Sequence, residues 1–152
     1  MNKHELADGI RFAAQRVSTM AQNTKDWDFQ LGHKWTWRDA FVHLAASAPG
    51  AQGFVPMLDG AMLSGLGVEQ IAAMNASNIS QMAGKSNEEI TQSIVDGMNT
   101  SAAFVETLDD AELAKTVTLG GYTWPKSELI AQIWIHHPIA HAYEASARWP
   151  LL

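Results

Sequence analysis

The chain has 152 residues, of which 47% are hydrophobic and only 17% charged, so it can bury a substantial core and is too apolar to be disordered. Its formal net charge of −6 argues against nucleic-acid binding, which needs Lys and Arg clustered on one face. The lack of cysteine excludes disulfides, thiolate metal ligands and cysteine nucleophiles.

The opening MNKHELADGIRF lacks the apolar core of a signal peptide, and no apolar run approaches the ~18 residues of a membrane span. A soluble, cytoplasmic protein with no membrane partner is therefore expected, as one domain over residues 1–152. Leu6, Ile10, Ala13, Val17 and Met20 step by four and three, which predicts an amphipathic helix from about Lys3 to Gln22. A polar, Trp-bearing connection follows, NTKDWDFQLGHKW. Thr36 and Asp39 then have the spacing of an N-cap and its N3 partner, opening a second helix through WRDAFVHLAAS that Pro49 and Gly50 end.

The next stretch, PGAQGFVPMLDGAMLSGLG, is too apolar for a solvated linker and too rich in glycine for a long helix. It reads equally as a partly helical, adaptable flap or as an irregular loop packed on the core. A third helix is expected from Val68 to Met82, stopped by Gly84. Ser86 and Glu89 form a second capping box, opening a long helix whose stripe is Ile90, Ile94, Met98, Ala102, Val105 and Leu108. Asp109 and Glu112 have the spacing to cap a short turn. KTVTLGGYTW is the one strand-like piece, a small hairpin turning at Gly120–Gly121. Pro125, in the first turn, launches the last helix, which runs to about Arg148. Four substantial helices and one extra segment make an all-α bundle, a fold that places ligand sites between facing helices.

In the last helix Ile130, Trp134, His137, His141 and Ala145 form the core-facing stripe. His137 and His141, at i and i+4, point the same way and are close enough to share one metal ion. His136 lies ~100° around the helix and does not join them. Ala40, His43, Leu44 and Ser47 follow core spacing in the second helix, so His43 points inward too. Three inward imidazoles from two helices make a three-nitrogen site with an open position, suited to Zn²⁺, Ni²⁺, Fe²⁺ or Cu²⁺. The competing reading is a hydrogen-bonded core seam, but a Trp- and Ala-rich surround supplies few polar partners for buried imidazoles. Pro138 removes one helix hydrogen bond and disfavours helical geometry at His137; the helix is either kinked there or restarts near Pro138. Glu144 shares the broad face of the pair and is a candidate fourth ligand, general base or orienting carboxylate, or a solvated residue. Asp39, one turn before His43, is placed either to orient that imidazole or to cap its helix. His33 and His4 read as surface residues. The six tryptophans are core or, near the histidines, the wall of a pocket.

WTWRDAFVHLAAS resembles the second-helix signature of the DinB-like bundles, a Trp-Thr/Ser start followed by an inward His. HHPIAH is similar to their last-helix His-x-x-x-His pattern, and LDDAELAKTVTLGGYTWPKSELI to the connection before it. This resemblance implies an up-down-down-up four-helix bundle, often a homodimer, with a divalent metal held by His43, His137 and His141. The family includes mycothiol-dependent maleylpyruvate isomerases and thiol-S-transferases. His137 stands where its isomerase branch tends to carry Glu, and Pro138 is a second departure. The implied function is metal-dependent chemistry on a small-molecule substrate, a transferase or isomerase using a low-molecular-weight thiol, with Glu144 the candidate for proton transfer. Two alternatives are a non-catalytic small-molecule-binding bundle and a metal-free structural dimer.

Overall fold

The computed structural model describes residues 1–31, 35–59, 68–119 and 122–147, without the side chains of 119, 144–147 and several between 68 and 75. Helix α1 (Lys3–Asn23) begins where Asn2 accepts the N–H groups of His4 and Glu5 at 3.0 Å and Glu5 reaches back to the N–H of Asn2 at 2.9 Å. Two of the donors that every helix start leaves orphaned are thereby satisfied. Its buried face is the expected stripe, closed by Ala21 with Met20 half-buried. Helix α2 (Trp37–Ser47) opens on the expected Thr36–Asp39 capping box. Part of the Gly-rich stretch is a helix, α3 (Ala51–Met57), which buries Ala51 and Val55; residues 60–67 lie outside the described set.

Helix α4 (Val68–Met82) and helix α5 (Asn87–Glu106) follow, the latter capped by Ser86 and Glu89 as their spacing predicts. Helix α6 (Asp110–Leu113) differs in detail from the expectation. The Asp109 side chain makes no capping bond; the Asp110 carboxylate instead accepts the N–H of Lys3 at 2.8 Å. Strands β1 (Thr116–Leu119) and β2 (Tyr122–Pro125) pair antiparallel in the expected hairpin, whose turn at 120–121 is outside the described residues. Pro125 sits one residue before the helix, as the N-cap of α7 (Lys126–Ala131), and not inside its first turn. A π-helical turn, Gln132–His136, joins α7 to α8 (His137–Ala147).

Helix α1 packs along α5, and α2 packs against α4 and α5. Helix α8 and the π turn lie on α1, with α8 also touching α2. One apolar cluster runs through these contacts, including Leu6, Ile10, Phe41, Ile90, Ile94, Met98, Ile130 and Trp134. Each such side chain contributes about 1.5–3 kcal/mol by burial. Gly97 lets α5 approach the end of α2 closely, because a Cβ there would meet the Ala48 Cβ at 2.7 Å. No helix among the described residues is long and apolar enough to cross a membrane.

Two charged links tie the ends together. Arg11 on α1 makes a bidentate pair with Glu106 on α5, at 2.9 and 2.8 Å, half-exposed and so contributing little to stability. Lys126 is 1% exposed and its ammonium is held by Asp59, just after α3, and by Glu112 of α6. Burial pushes that ammonium down, but the hydrogen bonds it donates to the two carboxylates outweigh this and hold Lys126 above its ordinary value.

Candidate metal centre

One carbonyl ties the end of α2 to α5 and to the last helix. Ala48, just past α2, accepts a hydrogen bond from Ser101 Oγ on α5 at 2.6 Å and another from Trp134 Nε1 in the π turn at 3.1 Å. With α2 so placed, His43 faces α8. Its Nε2 lies 3.3 Å from His137 Nε2, which in turn lies 3.0 Å from His141 Nε2. One nitrogen from each ring falls within 4.8 Å of the other two, and all three side chains are half-buried. The triad expected from spacing is thus brought together, and the i, i+4 relation of His137 and His141 survives Pro138 because both belong to α8.

Pro138 acts through the π turn. The N–H of His137 bonds to the carbonyl of Gln132, five residues back instead of four. That extra residue takes up the missing proline donor without a break in the helix, since His137 keeps ordinary helical angles (φ −61°, ψ −49°). The Ile133 carbonyl, one turn before His137, also acts on its ring and favours the protonated form.

Two imidazoles of the triad, His43 and His137, are held below their ordinary value. His137 is pushed down to about 4, first by burial and then by the like charges of His141 and His43, with the Ile133 carbonyl offsetting a little. His43 is lowered by burial and by His141. Neutral imidazoles present lone pairs, which is the form that binds metal. Trp35 walls the centre: its indole is parallel to His141 (2° between planes, centroids 6.0 Å apart) and edge-on to His43 at 5.4 Å. It remains 39% exposed, held there by hydrogen bonds from Leu31 N–H (2.8 Å) and Gln30 Nε2 (3.1 Å) to its carbonyl.

Other candidates fall differently. His136 and His4 are exposed and apart from the triad, as expected. Asp39 resolves in favour of the cap: its Oδ2 accepts from the Thr36 N–H and hydroxyl, each at 2.8 Å. The side chain of Glu144 and the whole of His33 lie outside the described residues. Spacing alone missed the Ile133 carbonyl and the burial of Lys126; Pro138 was the sign that the helix between Trp134 and His137 is irregular. Compared with known proteins, the chain matches no family model, no curated protein and no solved structure.

Proposed function

We propose that the chain is a DinB-like, up-down-down-up helical bundle whose His43, His137 and His141 hold one divalent metal, Zn²⁺ or Ni²⁺ first among the candidates. The observation that carries this is the convergence of three Nε2 atoms at 3.3 and 3.0 Å. Tetrahedral coordination at Zn–N of about 2.0–2.1 Å puts neighbouring nitrogens about 3.3 Å apart, and octahedral coordination at a similar length puts them about 3.0 Å apart. Two of the three nitrogen separations match such an ion and the third is within 4.8 Å, and all-nitrogen ligation suits Zn, Ni, Cu or Fe over Mg or Ca.

Three imidazoles add no charge of their own, and the charged groups acting on His43 and His137 are other histidines. Such a site favours an anionic fourth partner, which supports a thiol-dependent transferase or isomerase acting on a small molecule. When bound, the ion would lower the pKa of a thiol or a water so that a nucleophile exists at neutral pH. Trp35 offers a flat apolar wall for the substrate, and Glu144 is the candidate for moving a proton. A homodimer completes the reading, on the strength of the resemblance alone.

The test is metal content of tag-free protein by plasma mass spectrometry, wild type beside His43→Ala and His141→Ala. About one equivalent, lost in both variants, supports the centre and justifies assaying thiol transfer. No uptake by the wild type after incubation with Zn²⁺ or Ni²⁺ rejects it.

A further inference from the structure

A π-helical turn ends one residue before the pair of last-helix imidazoles. In an α-helix the Ile133 carbonyl would accept the N–H of His137, but that N–H goes to Gln132. In the π register the next donor available to Ile133 is the N–H of residue 138, and proline has none. The Ile133 carbonyl is thus denied both of its regular main-chain donors, a costly state for a half-buried group unless something else pairs with it. The polar side chain one turn on, at i+4, is the ring of His137, whose protonated form that carbonyl favours.

Both of the His137 contacts inside the triad are made by Nε2, which leaves Nδ1 as the nitrogen turned toward its own helix. A neutral imidazole carries one proton, and the hydrogen bond made by one nitrogen decides the state of the other. We infer that Pro138 and the π-helical turn are a positioning device for His137: they free the Ile133 carbonyl to hold Nδ1–H, so that Nε2 faces the centre as a bare lone pair. Pro138 is on this account a positioning residue, acting through Ile133, and its departure from an ordinary helical residue serves the site. The purpose of the device rests on the metal-centre reading, but its test does not.

The experiment uses metal-free protein labelled with ¹⁵N-histidine and long-range N–H correlation spectra at neutral pH, with His137 assigned by its loss in His137→Ala. Wild type is expected to show His137 as the Nδ1–H tautomer. In Pro138→Ala a new main-chain N–H competes for the Ile133–Trp134 carbonyls, and the Nε2–H tautomer should become populated. Zn²⁺ affinity should fall about tenfold, the low end for loss of a group that orients a ligand. A wild-type Nε2–H tautomer overturns the inference outright, and does so even if Pro138→Ala fails to fold. So does a variant in which tautomer or affinity is unchanged. If the wild type binds no metal the centre is rejected, while the tautomer still decides whether proline sets the ring.

Discussion

Replacing His43 with leucine separates the cost of the triad from what it gains with metal. In chelated protein His43 is a lowered, half-buried imidazole whose Nε2 contact is another imidazole nitrogen, an arrangement with little to hold it. Leucine is the better helix former by a few tenths of a kcal/mol. The metal-free variant should therefore unfold within about 1 kcal/mol of wild type, or above it. Metal changes this, because it joins α2 to α8 across 94 residues of sequence in the folded state alone. At free Zn²⁺ of about 100 times Kd the wild type gains about 2.7 kcal/mol. For a chain of this length that is a rise in Tm of about 5–11 °C. In His43→Leu only the His137–His141 pair remains, on one helix, and the gain should fall below about 1 kcal/mol. Differential scanning calorimetry in chelator and across a Zn²⁺ series measures both numbers. Equal Zn²⁺ shifts in the two proteins would refute the centre. A loss of several kcal/mol in chelator would show His43 to be a structural hydrogen-bonding residue.

The metal-free protein should also weaken in acid. His137 is lowered from its ordinary 6.5 to about 4, so the unfolded chain binds a proton in that window that the native state refuses. Its contribution is intact above 6.5 and is lost as pH falls toward about 4, at no more than about 1.4 kcal/mol per pH unit and less for a half-exposed ring. Urea unfolding across that range checks it, and a flat profile counts against it. Lys126 predicts an asymmetry. Lys126→Met leaves Asp59 and Glu112, whose side chains are 58% and 29% exposed, free to rehydrate. Asp59→Asn with Glu112→Gln instead strands a buried ammonium, at a cost on the order of 3 kcal/mol. The double variant should melt lower than Lys126→Met; the reverse order would count against the pin. Finally, Cu²⁺ should quench tryptophan emission at one equivalent, and Trp35→Phe should lose that component while keeping the others, because this indole stacks on His141. A quench that persists unchanged in Trp35→Phe would put the metal elsewhere.

Much of this was readable from periodicity. The apolar stripes placed His43, His137 and His141 on inward faces because the neighbours at helical spacing, Ala40, Leu44, Ile130 and Trp134, are buried. The capping boxes at Thr36 and Ser86 were legible because their donors and acceptors are local. Asp39 was ambiguous because one spacing serves both a cap and a turn-adjacent imidazole, and only the fold shows its carboxylate on Thr36. Helix α3 was legible only as one of two readings, because Gly53 and Pro56 have weak propensities that are overridden once Ala51 and Val55 are buried. The burial of Lys126 was not legible, since it depends on Asp59, 67 positions away. The form of the irregularity before Pro138 was not legible, since a kink, a restart and a π turn are all answers to one missing donor.

The separation of 94 residues between His43 and His137 also has a consequence in time. At about 5–20 residues per second of synthesis, a chain carries the first imidazole for roughly 5–20 s before the second exists. Through that interval α2 is made while its partner helix is not, and a single histidine is no cage. The three rings meet only when α8 docks on α2, so whatever the centre holds is either trapped at that docking or enters afterwards past Trp35. Occupancy of the centre would then report that the fold is finished.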